Sequence, residues 1–400
     1  MQPRPTVSLW QIFTVFLRLG LTSFGGPVAH LAFFRAECVQ HRRWLTEQQY
    51  AGVVALCQFL PGPASSQTGM AIGYMLRGYR GALLSWLGFT LPSAVLMACL
   101  AMLGAAINTE HIIPAISGLK LLVLAIVAQA AWQMSRQLCA GTRCKVIMLF
   151  CLMALLLMPT LQGQLLAMSF GAIAGLLWLP SSVNSSVADD MTRINRAAMR
   201  HSVMLFGVFA LLLVILPWLV NSSGNVYLQL FDALYRSGAL VFGGGHVVLP
   251  LLQAELASSG LISDPLFMAG YGAVQAMPGP LFTFASFIGA SSLQPAIYGA
   301  LLATFAIFLP AMLLVLAALP WWQKLQHFAY LQRAMAGVNA AVVAMLLALI
   351  VTAMPAISEQ GLSQWMLVML FLIGLMYFRL PAYVLVAMTI VGGVACSFFN

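Results

Sequence analysis

Long apolar stretches dominate the pattern of this chain. No charged residue occurs from Gly81 to Ala106, and none from Ser202 to Leu230. Each run exceeds the roughly 20 residues that cross the hydrocarbon core of a bilayer as a helix. Other apolar stretches are cut by Gly and Pro, which relax the backbone or remove a donor. The pattern predicts two interrupted segments followed by four plain helices in each half. In the first half the interrupted pair is 9–34 and 48–76, and the plain helices are 81–103, 118–133, 146–161 and 164–180. In the second half the pair is 227–252 and 266–292, and the helices are 300–318, 337–353, 365–378 and 380–398. A polar connector, 181–202, carries Asp189, Asp190, Arg193, Arg196 and Arg200, and one extra apolar span follows at 203–219. The predicted organisation is a first membrane repeat over 1–180, a cytoplasmic linker plus connecting helix over 181–219, and a second membrane repeat over 220–400.

The halves are copies of one another. Arg18, Gly20, Phe24, Gly25 and Gly26 map onto Arg236, Gly238, Phe242, Gly243 and Gly244 with a constant offset of 218. Gln58 and Pro61-Gly62-Pro63 map onto Gln275 and Pro278-Gly279-Pro280 at an offset of 217. Gly81 and Pro92 meet Gly299 and Pro310, and Gly118 meets Gly337. Matches in the same order with so little drift mark an internal duplication.

Composition then fixes the solvent. Hydrophobic residues make up 62% of the chain and charged residues 7%, against about 25% charged in soluble domains. This is an all-α polytopic membrane protein, with no cleavable signal peptide expected. The net charge of +9 reports loop orientation rather than nucleic-acid binding. Loops 35–47, 77–80 and 134–145 are basic, while their counterparts 253–265, 293–298 and 353–364 hold no Lys or Arg. The fourth pair reverses the other way: 104–117 has none and 319–336 has Lys324 and Arg333. Under the positive-inside rule the repeats are expected to lie inverted, as in secondary transporters. Segment 48–76, basic at both ends, is expected to dip in and return; segment 9–34 either crosses or re-enters.

Broken helices at equivalent places in two repeats point to a transporter's binding site. The structural breaks are Pro27, Pro61, Pro63, Gly245, Pro278 and Pro280. In hydrocarbon, freed backbone groups need protein or a wet cavity, and a helix start offers N–H groups and partial positive charge to an anion. The candidate substrate-binding residues around the breaks are Gly25, Gly26, Gln58, Gly62, Ser65 and Ser66, then Gly243, Gly244, His246, Gln275, Gly279 and Thr283. Arg18 and Arg236 precede the Gly-Gly breaks inside apolar runs, where a cation faces a cavity, a partner or a ligand. Asp232 is placed to pair with Arg236 at i, i+4, and the guanidinium fork suits an oxyanion. The alternatives are helix crossings for the glycines, snorkelling for the arginines and plain packing for His30 and His246.

Other chemistries find no motif. There is no GxxxxGK[ST] loop for ATP, no HExxH and no GxSxG, and the seven cysteines lack paired CxxC spacing. Metal and cofactor are therefore not expected, and an intramembrane enzyme is a remote alternative. An anion channel shares the transporter's architecture.

The string SFGGPVAHLAFFRAECVQHRRWLTEQQYAGVVALCQFLPGPASSQTGMAIGY, with the later VFGGGHVVLPLL and QAMPGP, resembles the chromate ion transporter family in its long, two-repeat form. The motif positions are Phe24, Gly25, Gly26, Pro27, Gln58, Pro61, Gly62 and Pro63 with their second-repeat partners, and Gly245 stands where Pro27 does. The resemblance implies a multi-pass exporter of the cytoplasmic (inner) membrane that moves chromate out of the cell and confers resistance. A carrier or channel for another tetrahedral oxyanion such as sulfate is the alternative. The implied partners are the oxyanion and the lipid bilayer, with a homodimer as an option and no nucleic acid.

Overall fold

In the structure, a computed structural model of the chain, residues 7–106, 113–139, 141–180, 196–242, 248–257, 260–321, 329–359 and 361–399 are described. Every regular element among them is helical. The first half begins with α1 (Leu9–Thr22), α2 (Gly26–Arg35), a π-helical turn (Ala36–His41) and α3 (Glu47–Phe59). It continues with α4 (Ala64–Ala106), α5 (Ile113–Leu138), α6 (Thr142–Leu157) and α7 (Leu161–Trp178). The extra helix α8 spans Arg196–Ser223. The second half runs α9 (Val226–Leu240), α10 (Val248–Ala257), α11 (Asp264–Val274), a 3₁₀ turn (Leu281–Thr283), α12 (Phe284–Ser292) and α13 (Ala296–Ala318). It ends with α14 (Ala329–Glu359), α15 (Leu362–Met376) and α16 (Ala382–Phe399).

The starts and breaks follow local chemistry. Reciprocal capping boxes, Ser8 with Gln11 and Thr46 with Gln49, satisfy the first free N–H groups of α1 and α3. The interrupted segments break where Gly and Pro fall. α1 ends before Ser23, and left-handed Gly25 (φ +100°) caps α2, whose first turn holds Pro27. The α3–α4 break is Leu60 to Pro63. α4 itself bends at Arg77 and Gly78, so it is two helices joined at a kink. Among the described residues, five stretches are long and apolar enough to cross a membrane: Ala64–Gly104, Ser117–Leu138, Met199–Ser223, Ala296–Trp321 and Gln332–Pro355. The protein is multi-pass.

The described helices form two compact units, each drawing on both halves of the sequence. One comprises residues 1–102, 183–245 and 277–327; the other comprises 103–182, 246–276 and 328–400. In the first, α13 is the central post, lying against α8, α9 and α12. Phe16, Phe34, Phe89, Ile72 and Tyr50 fill the space among α1, α2, α3 and α4. Phe34 meets Phe16 and Phe89 edge-on, at centroid distances of 5.4 and 4.9 Å. The kink of α4 folds Gly81 back onto Gly73 so closely that a Cβ on either collides with the other's carbonyl. Gly289 and Gly299 repeat this contact between α12 and α13, the close approach that small residues permit between membrane helices. In the second unit, α14 lies along α6 and α7, while α5 lies along α11, α15 and α16. Leu122, Ala125, Ile126, Phe371 and Leu385 fill its core.

Candidate functional site

The two Pro-Gly-Pro breaks are tied to the two Phe-Gly-Gly breaks, each to that of the other half. The Gly62 N–H donates to the Val241 carbonyl at 2.6 Å, and the Gly279 N–H donates to the Ser23 carbonyl at 2.9 Å. Ser23 and Val241 are equivalent positions immediately before the Phe-Gly-Gly strings. Two backbone donors and two backbone acceptors freed by the breaks thus satisfy each other inside one compact unit. Gly62 (φ +120°) and Gly279 (φ +89°) hold conformations open to glycine.

Around this crossing the first unit buries an unusual set of polar side chains. Ser23, His30, Ser65, Ser66, Gln67, Thr68, Thr90 and Ser93 are all buried. Ser65, Ser66 and Gln67 occupy the first turn of α4, directly after Pro63. The His30 Nδ1 stands 3.4 Å from Ser65 Oγ, and its ring lies edge-on to Phe89 at 5.3 Å. Gln67 Nε2 donates to the Pro61 carbonyl at 2.8 Å, and Thr68 Oγ1 donates to Ala64 O at 2.8 Å. Ser93 lies beside Gly279, whose added Cβ would stand 2.9 Å from Ser93 Oγ. Among the described residues, Ser23 Oγ, Ser66 Oγ, Gln67 Oε1 and Thr90 Oγ1 have no hydrogen-bond partner. Buried polar atoms left this way each cost about 1–3 kcal/mol. Their concentration around the crossed breaks marks a place where a polar ligand or water would be held.

The sequence-derived residues divide accordingly. Gly25, Gly26, Gly62, Ser65, Ser66, Gly279 and Thr283 belong to the same compact unit, as do the breaks Pro27, Pro61, Pro63, Pro278 and Pro280. Thr283 is buried, but its hydroxyl donates to the Pro280 carbonyl at 2.8 Å within the 3₁₀ turn, so its hydrogen bond is local. Gln58 is exposed at the end of α3, and Gln67 rather than Gln58 satisfies the freed Pro61 carbonyl. Gln275 ends α11 in the other unit, where it hydrogen-bonds the Tyr271 side chain. Gly243, Gly244, Gly245 and His246 lie outside the described residues.

The two arginines are not equivalent. Arg236 holds Asp232 at 2.8 Å across one turn of α9, with Asp232 fully buried. Arg18 is exposed on α1, within electrostatic range of Glu37 on the π-helical turn. Burial by itself would raise the Glu37 carboxyl, but hydrogen bonds from Arg42 (2.7 Å) and His41, together with the nearby charges of Arg42 and Arg18, hold it below its ordinary value. Arg35 completes this loop by gripping Glu47 through Nε and Nη2 at 2.9–3.2 Å.

Sequence reasoning passed over Ser23, Thr90 and Ser93 and left His30 open between anion binding and plain packing. Ser23 had a readable signal, since it adjoins the duplicated Phe-Gly-Gly string. Thr90 and Ser93 had none, because they sit in a plain apolar helix whose lining face only the folded chain defines.

A family model described as chromate transporter matches this chain twice, over residues 10–177 and 228–396. A chromate transport protein of Pseudomonas aeruginosa is 27% identical over 314 residues, covering 77% of this chain and 72% of that protein. One from Cupriavidus metallidurans is 26% identical over 341 residues, covering 85% and 81%. An uncharacterized transporter of Methanocaldococcus jannaschii is 25% identical over 331 residues, covering 82% and 80%. No solved structure matches the chain.

Proposed function

This chain belongs to the chromate transporter family, and on that premise we propose that it exports chromate from the cytoplasm by alternating access and so confers resistance. The relatives that carry the name chromate transport protein support the substrate. The observation that carries the site is the buried polar set around the crossed breaks, in which the Ser23, Ser66 and Thr90 hydroxyls have no hydrogen-bond partner among the described residues and His30 stands against Ser65. Hydroxyls, the backbone N–H groups of a helix start and an imidazole supply hydrogen bonds to the four oxygens of a tetrahedral dianion. Arg18 supplies the charge that draws the anion in. Arg236, already neutralised by Asp232, organises α9.

The two repeats lie inverted in this reading, which the reversed loop charges and the single extra helix α8 support. The equivalent broken segments then present one anion site alternately to either face. Export needs no coupled ion: a dianion leaving a negative-inside cell gains about 4.6 kcal/mol per 100 mV, twice the value for one charge. The membrane is the cytoplasmic one, where that potential is held.

Labelled chromate uptake into inverted membrane vesicles, with an inside-positive potential imposed, tests the proposal. Wild type should accumulate chromate, while Arg18→Gln and Ser66→Ala should lose most of the uptake at normal membrane levels. Excess sulfate should compete weakly. Full block by sulfate would reassign the substrate to sulfate, and absence of uptake by inserted wild type would rule out chromate export.

A further inference from the structure

Two cavities in the second compact unit have complementary chemistry and share a residue. The first, of about 500 Å³, opens at the C-terminal ends of α5 and α15 and is lined by Gln129, Trp132, Gln133, Arg136, Gln137 and Arg379. Among the described residues no carboxylate lines it. The second, of about 720 Å³, is an apolar groove along α5, α15 and α16, walled by residues such as Leu121, Leu367, Phe371, Phe378 and Met388. Leu380 borders both.

Two features mark the polar cavity as more than a helix end. Arg136 lies over the Trp132 ring at 5.0 Å, and Trp132 is half exposed, the arrangement expected of an aromatic anchor at headgroup level. Arg379 closes the end of α15 in the left-handed conformation (φ +52°), with the Leu380 N–H returning to the Gly374 carbonyl at 2.9 Å. That position usually belongs to glycine, and a bulky side chain there is strained. Strain kept at an arginine beside a second arginine and three glutamines is accounted for by a ligand that needs the guanidinium. From Trp132 to Leu121 α5 rises roughly 17 Å at 1.5 Å per residue, close to the roughly 15 Å of one leaflet's hydrocarbon.

We propose that the Arg136–Arg379 cavity holds the phosphate of an anionic phospholipid whose acyl chains lie in the adjoining groove. The two guanidiniums pair with the phosphate, the glutamines hydrogen-bond its glycerol and headgroup oxygens, and Leu380 marks the passage from headgroup to tail. The site shares no residue with those assigned to transport. The contiguous groove is what favours a lipid over a free oxyanion, which has no use for an apolar wall.

The test is native mass spectrometry of the full chain purified with phosphatidylglycerol or phosphatidylcholine of matched acyl chains. Wild type should retain phosphatidylglycerol preferentially. Each of Arg136→Gln and Arg379→Gly should weaken retention about fivefold, and the pair roughly thirtyfold, from about 1 kcal/mol per basic residue. Arg379→Gly should also keep or raise thermal stability, since glycine relieves the left-handed strain, so loss of lipid there is not loss of fold. Unchanged retention in the double variant would overturn the proposal. Displacement of phosphatidylglycerol from wild type by millimolar sulfate or chromate would overturn it too, by assigning the cavity to a soluble oxyanion.

Discussion

The reciprocal contact between the breaks makes a quantitative prediction for Gly62→Ala and Gly279→Ala. At Gly279 an added Cβ would meet Ser93 Oγ at 2.9 Å and the Gly20 and Phe89 carbonyls at 3.3 Å. At Gly62 it would meet the Ala311 Cβ and Gln67 Nε2, both at 2.9 Å. Each substitution carries about 1–2 kcal/mol of backbone strain at positive φ and about 1–3 kcal/mol of overpacking, so about 2–5 kcal/mol in sum. Gly224 is the internal control, with φ +61° and nothing within 4 Å of its Cβ; Gly224→Ala carries the strain alone. Thermal unfolding of the purified proteins in detergent, read beside vesicle uptake, measures both effects. The two break variants should unfold well below the Gly224 variant, by similar amounts, and lose transport, while Gly224→Ala transports. If Gly62→Ala and Gly279→Ala match Gly224→Ala in both assays, the crossed hydrogen bonds do not hold the breaks together.

Three further outcomes are expected. Arg236→Gln leaves the Asp232 carboxylate buried without its cation and should destabilise by about 3–5 kcal/mol, with Asp232→Asn in the same chain restoring most of it in thermal unfolding. Ser66→Ala removes a buried hydroxyl that has no partner among the described residues, so stability should hold or rise by about 1 kcal/mol while chromate affinity falls, a split that binding and melting measurements resolve. Because the Glu37 carboxyl is held below its ordinary value by Arg42 and His41 despite burial, its stabilisation is complete above the unfolded pKa and lost as pH falls through the folded one. Glu37→Gln should therefore lower the melting temperature at neutral pH and match wild type well below pH of about 4.

The helical spans and their interruptions were legible in the chain because they depend on local facts. Apolar run length sets a membrane helix, and Gly and Pro set its breaks, so α1–α2, α3–α4 and α8 fall where the pattern puts them. The i, i+4 pairing of Asp232 with Arg236 was equally local. Duplication could be read as well, since it is a property of residue order. The parts that escaped depend on which distant segments meet. That Gly62 pairs with Val241 and Gly279 with Ser23 follows from folding each half's break against the other's, which no single-segment pattern encodes. The same folding turns Thr90 and Ser93 inward and leaves Gln58 and Arg18 outward, though all four sit on helices of similar apolar character. Sequence by itself determined the solvent, the helices and their breaks, because hydropathy and backbone chemistry act residue by residue. Tertiary structure alone decided which polar groups share a buried space, because burial belongs to the assembled chain.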